Sequence, residues 1–228
     1  MAAKVYTRWM KTSYTPWLFP LLWAGLLAVP PDNPELQLKF IWIDAADPAA
    51  AAIRRVAEPV IQQAGYRMMN EVNHVLANQG AEAGIDEMHL KAWKFPVAAP
   101  GQPRIIAVKR TSLRIRNPAN LPDNADLAAL LTIQTAMADG NTPPRVLVQR
   151  VEAAGPAPAE WRVYRPMITT TACLACHGPV DSLAPAVKVK LERIYPSDKA
   201  TAYAANEWRG VIRVSLVVPD DTAPKKTP

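Results

Sequence analysis

The sequence predicts an α+β fold in which helices flank an antiparallel sheet. Three observations lead there. Residues 58 to 78 place Ile61, Ala64, Met68, Val72 and Val75 or Leu76 at spacings of three and four, the repeat of one helix face. Two later stretches alternate with the period of a strand: Leu113 and Ile115 against Arg114 and Arg116, and Val211, Arg213 and Ser215 against Ile212, Val214 and Leu216. The order is two helices, a strand, a helix, then several strands around a small helical insertion. That order favours antiparallel pairing.

The first helix is expected over 58 to 78, with Pro59 in its first turn and Gly80 as its stop. A shorter one follows, with Ile85, Met88, His89 and Ala92 on one side. Residues 104 to 116 read as strand and Asn117 to Pro122 as a turn-rich break. Asp123 or Asn124 caps a helix over 125 to 138, ended near Gly140. Val146–Val148 and Trp161–Tyr164 read as a hairpin, 183 to 194 as a further helix and 210 to 218 as the closing strand. The domain organisation expected is a leader at 1–30, a Pro/Ala-rich linker at 31–57, the folded domain at 58–220 and a flexible tail at 221–228. Within the linker the apolar patch Phe40-Ile41-Trp42-Ile43 reads as a short strand or a contact with a membrane partner.

The chain has 228 residues and a formal charge of +6. Lys4, Arg8 and Lys11 precede residue 31 without an acid among them. That leaves 23 bases against 20 acids, or +3, for the rest. The basicity is therefore mostly a property of the leader. A nucleic-acid partner needs a clustered basic face, and none is visible; Lys188, Lys190 and Arg193 read as the solvated side of a helix. Residues 17 to 29 are an apolar run behind a basic flank, too short for the roughly 20 residues of a typical span. They read as a secretory signal or as an anchor to the cytoplasmic membrane. The expected location is the periplasm.

Only two cysteines occur, both in Cys173-Leu174-Ala175-Cys176-His177. Two residues between the thiols suit the two vinyl groups on one edge of a haem, and the histidine that follows suits the iron. A structural zinc needs four ligands, and His74 and His89 are the only further histidines. A thioredoxin-like redox pair belongs in a parallel context. The motif therefore predicts one covalently bound haem c, held by Cys173 and Cys176, with His177 as the proximal iron ligand. Arg114, Arg116 and Arg165 are candidates for pairing with the propionates, since guanidinium matches carboxylate in two-pronged fashion; the alternative is that they are exposed strand arginines.

Five segments, in order, resemble the single-haem c-type proteins with a PAS-like fold, the Tll-type haem-binding family of cyanobacteria. They are Thr111 to Asn120, Tyr164-Arg165-Pro166, Ala172 to Gly178, Tyr195 to Thr201 and Trp208-Arg209-Gly210. The resemblance implies a PAS-like antiparallel sheet flanked by helices, and a role in electron transfer or sensing. In that family a cysteine thiolate before the first strand is the other axial ligand. Here the position aligns with Met88, which makes Met88 the implied distal ligand and His89 the alternative. His/Met ligation raises the reduction potential. A glycine usual in the family before Tyr203 is Ala202 here.

Two protein ligands saturate the iron. The leading reading is therefore an electron carrier rather than a catalyst, at the outer face of the bacterial cytoplasmic membrane, with redox protein partners or as a subunit of a respiratory or photosynthetic complex. Membrane contact would run through the N-terminal segment. The alternative is a haem-based redox or gas sensor read by a separate output partner. A peroxidase-like enzyme, with Glu87 or His89 as acid–base group, has no other support in the sequence.

Overall fold

A computed structural model describes residues 38–44, 46–87, 98–153 and 157–219. The leader, Met88, His89 and residues 221–228 lie outside the described residues. Five strands form one antiparallel sheet: β1 (Phe40–Ile43), β2 (Arg104–Thr111), β3 (Leu147–Val151), β4 (Glu160–Ile168) and β5 (Trp208–Val217), in the order β1-β3-β4-β5-β2. The helices are α1 (Pro48–Asn78), α2 (Ala81–Glu87), α3 (Asn124–Ala138), the single turn α4 (Leu174–His177) and α5 (Pro185–Ile194). The α+β class and the helix-flanked antiparallel sheet are as the sequence predicts.

Much of the stretch expected as a linker is regular structure. The apolar patch is β1, paired with β3 from Phe40↔Val151 to Ile43↔Val148. Helix α1 begins ten residues before the expected start. Asp47 caps it through its side chain, which accepts from the Ala49 amide, and Pro48 takes the first turn. The alanines that looked like linker are the strongest helix formers. Pro59 therefore sits inside α1, not in its first turn. It is on the exposed side of the helix, where water can satisfy the carbonyl its missing N–H leaves free.

One face of α1 buries Ala50, Ile53, Ala57, Ile61 and Ala64 against Val148, Trp161, Val163, Ile212, Val214 and Leu216 of the sheet. The spacing of three and four continues through Met68, Val72, Val75 and Leu76, but here the stripe lines a cavity. On the other face of the sheet, Ala129, Leu130 and Ile133 of α3 cover Tyr164 and Val211. Asp123 caps α3 by accepting from the Asp126 amide. A third cluster joins Ile85 of α2 to Leu183, Val187 and Leu191 around α5. No helix among the described residues is long and apolar enough to cross a membrane.

Strand β2 is shorter than the alternation suggested; it stops at Thr111, and residues 113 to 116 leave the sheet. The Ser112 hydroxyl accepts from the Arg114 amide at 2.9 Å, a side-chain turn that competes with the ladder. Opposite, Gly210 has φ +148, and a Cβ there would lie 2.3 Å from the Thr111 carbonyl oxygen. The close approach of β5 to the end of β2 requires glycine. The departing segment carries Arg114 and Arg116 toward the cavity instead of along the sheet.

Candidate functional site

Between β4 and β5 the chain makes the excursion that carries the cysteine motif. A 3₁₀ turn, Thr171–Cys173, runs into α4, so Cys173 to His177 is one continuous tight helical segment. Gly178 follows, its amide donating to the Leu174 carbonyl at 2.9 Å. A Cβ on Gly178 would meet that same oxygen at 2.7 Å, so no larger residue fits after the histidine without a shift.

The motif faces a cavity of about 280 Å³, also lined by Met68, Met69, Val72, Val75 and Leu76 of α1 and by Gly84 and Ile85 of α2. Cys173, Cys176 and His177 all line it. Both cysteines are free thiols. Cys173 Sγ lies 3.4 Å from both the amide and the hydroxyl of Thr170. Cys176 Sγ lies 3.7 Å from the Ala81 carbonyl oxygen at the start of α2. Burial pushes the Cys176 thiol above its usual pKa despite the nearby Arg116 cation.

His177 is fixed in one tautomer. Its Nδ1 lies 2.6 Å from the Ala200 carbonyl, which can only accept, so Nδ1 carries the proton and Nε2 keeps its lone pair. Burial, reinforced by the Arg116 and Arg209 cations, pushes its pKa down to about 3. The imidazole is thus neutral at neutral pH, with a backbone carbonyl orienting it through Nδ1, an arrangement that metal-binding histidines commonly share. The Tyr203 ring meets it edge-on, with centroids 6.2 Å apart and planes at 87°.

Tyr203 is the hub of the wall behind the histidine. The Arg114 guanidinium carbon stands 3.8 Å from its ring centroid, a cation–π distance. Arg114 also pairs with Glu207 Oε1 at 3.2 Å and donates to the Thr201 carbonyl. Arg116 pairs with Asp198 Oδ2 at 2.9 Å and donates to the Cys176 carbonyl at 2.5 Å. Both arginines line the cavity, and each holds a carboxylate of its own. Arg165 is on β4 opposite Ile212, and it is not among the residues that line the cavity. Trp161 and Tyr164 are core residues: Trp161 packs against α1 and Tyr164 beneath α3. His74 is exposed and bonded to Asn78. Of the two distal candidates, Met88 and His89, the structure describes only what precedes them: α2, whose Gly84 and Ile85 are on the cavity wall.

Sequence reasoning passed over Arg209. Its signal was its place in Trp208-Arg209-Gly210, beside the glycine that lets β2 and β5 approach. Ala202, the departure noted in the sequence, has φ 58, the left-handed conformation that a glycine holds without strain. The loop survives the exchange: the Ala202 amide donates to the Gly178 carbonyl at 2.8 Å and the Tyr203 amide to the His177 carbonyl at 2.9 Å. Alanine there costs about 1–2 kcal/mol, partly offset by the greater freedom glycine would lose. Ala202→Gly is therefore expected to raise stability by about 0.5–1 kcal/mol in urea denaturation. An unchanged or lower midpoint would mean the loop holds alanine without strain.

A comparison with curated proteins finds no match. Among solved structures, the crystal structure of the cyanobacterial heme-protein Tll0287 is similar, at 22% identity and a TM-score of 0.37. That match covers 50% of this chain and 62% of that one, less than two thirds of its length. The family model described as Tll0287-like matches residues 35–217, from just before β1 to the last residue of β5. The chain belongs to the Tll0287-like family.

Proposed function

We propose that this protein is a monohaem c-type cytochrome that transfers electrons at the outer face of the bacterial cytoplasmic membrane. The observation that carries the reading is the union, in the lining of one cavity, of two thiols with two residues between them and a neutral histidine whose Nδ1 is already tied to a carbonyl. The donor set fits haem c: thiols for the two thioether bonds, an imidazole Nε2 for iron, and apolar side chains of α1 and α2 for the macrocycle. Membership of a family named for a heme-protein agrees. Bound haem supplies a one-electron ferric/ferrous couple.

The chain's own part is positioning. Ala200 and Tyr203 set the His177 ring, Gly178 lets the motif close tightly, and the α1 stripe excludes water from the opposite side. Met88 completes the iron shell in this reading, with His89 the alternative. With both axial positions filled by protein, the site needs only a potential and a route to a redox partner. The basic, apolar leader (1–30) supports a periplasmic setting for that exchange, by export or by anchoring through residues 17–29, alone or within a respiratory or photosynthetic complex.

The test is expression of the full chain with a c-type maturation system, followed by pyridine haemochrome analysis and haem staining of denatured protein. We expect one haem per chain that survives denaturation, and complete loss of retained haem in the Cys173→Ser/Cys176→Ser double variant. Ferric and ferrous spectra should be low-spin and unmoved by carbon monoxide. Rapid carbon monoxide binding would favour the haem-based sensor over the electron carrier; wild-type protein without covalent haem would end both readings.

A further inference from the structure

The cavity wall carries one arginine, Arg209, that makes no ion pair among the described residues. Arg209 opens β5 and lines the cavity beside His177. Its Nη1 donates to the Ser112 hydroxyl at 2.6 Å, to the Arg114 carbonyl at 2.9 Å and to the Tyr203 hydroxyl at 3.4 Å. Its carbon stands 5.2 Å from the Tyr203 ring centroid. All of these partners are neutral. Neighbouring arginines of the same region are treated differently: Arg114 has Glu207 and Arg116 has Asp198. On the far face of the sheet Arg162 and Arg213 share Asp123 and Asp126.

A half-buried guanidinium that lines a cavity and is held by neutral acceptors is costly unless an anion joins it. Burial and the nearby Arg116 hold its pKa below the ordinary arginine value, against the opposite pull of Tyr203 and Asp198. Arg110, also on this wall, feels Arg209 as a repelling neighbour. Arg209 thus stands among other cations on the wall that the cysteine motif shares, with no carboxylate in contact with it among the described residues. The guanidinium fork pairs best with a carboxylate.

We propose that Arg209 binds a haem propionate carboxylate. The inference rests on the haem reading above, and it gives the family-like Trp208-Arg209-Gly210 segment a task. Gly210 lets β5 close on β2. That closure puts Ser112 and the Arg114 carbonyl where they hold the guanidinium in place. Three neutral contacts on one Nη orient the group, while the charge stays available for the anion.

The experiment compares holo wild type, Arg209→Gln and Arg209→Lys, each assayed for covalent haem and then for reduction potential against pH. The thioether bonds keep haem on every variant, so haem content reports on the haem reading and the pH series on Arg209. In Arg209→Gln the propionate loses its cation. The pH midpoint of the potential should rise by about 1–3 units, and the potential at neutral pH should fall, because ferric iron is then less opposed. Arg209→Lys keeps the charge but not the fork, and should fall between the two; it decides the matter if the glutamine variant does not fold. A purely structural role would lower stability and leave the pH midpoint where it is. An unmoved midpoint in a haem-loaded variant overturns the assignment to Arg209 and leaves the haem reading standing. Wild type without covalent haem overturns both.

Discussion

Asp126→Ala is expected to destabilise the protein by about 3–5 kcal/mol, the cost of leaving buried charges without their partner. Asp126, in the first turn of α3, is wholly buried. Its carboxylate takes Arg213 Nη1 at 2.8 Å, Lys109 Nζ at 3.0 Å and Arg162 Nη1 at 3.3 Å, and the Tyr164 hydroxyl donates to it at 3.2 Å. Arg162 also pairs with Asp123 and Glu160. Three bases face three acids, so the cluster is balanced only while all are present. Burial alone would raise the Asp126 pKa, but Arg213, Lys109 and Arg162 together hold it below the usual carboxylate value. Glu160 is held down in the same way by Arg162.

The sign of the pH effect follows. A carboxylate whose folded pKa is depressed contributes stability that is present above its unfolded pKa, about 4, and is lost as pH falls through the folded value. Wild type should therefore keep its urea midpoint from neutral pH to about pH 5 and lose it steeply below about pH 4. Asp126→Ala should start lower and fall less. If Asp126→Ala lost under about 1 kcal/mol at pH 7, the cations would have to reach water when unpaired, and the cluster would be a surface feature. Asp126→Asn separates charge from shape: it keeps the contacts to Tyr164 but not the ionic part.

That cluster was invisible in the sequence, and the reason is distance along the chain. Arg213 reads as one polar residue in an alternating strand, and its partner is 87 residues earlier. Alternation says which side chains share a face; it does not say that a face is covered. The helix that covers it, α3, was legible from Asp123 and Gly140 to within a residue at its start. The hairpin, α5 and β5 were legible for similar local reasons, their period and the turns that bound them. The errors lie where local signals pointed two ways. Alanines after Pro48 were read as linker, though Asp47-Pro48 is a helix start. Leu113 and Ile115 continue the strand alternation, but Ser112 and Gly210 end the pairing. The cysteine motif was legible because it is contiguous. The wall behind it, built by Tyr203, Ala200 and Arg209, is assembled from a loop and a strand start that follow it by more than twenty residues.

Met88→Cys should lower the reduction potential by several tenths of a volt, within the roughly 0.8 V that axial ligands span. The argument joins the sequence to the cavity. Residue 88 follows Glu87, the last residue of α2, and α2 already gives Gly84 and Ile85 to the lining of the cavity that the cysteine motif faces. A methionine thioether is neutral and favours ferrous iron, and His/Met ligation raises the potential. A cysteine thiolate is an anion that stabilises the ferric state. Spectroelectrochemical titration of the two proteins checks the shift. The ferric far-red band of methionine ligation should vanish in the variant, while the covalent haem content stays unchanged. His89→Ala is the counter-experiment. If Met88 is the ligand, His89→Ala leaves potential and spectrum in place. If His89→Ala opens the iron to carbon monoxide and Met88→Cys does nothing, the iron is held by two histidines, and the potential must then be lower than His/Met ligation gives.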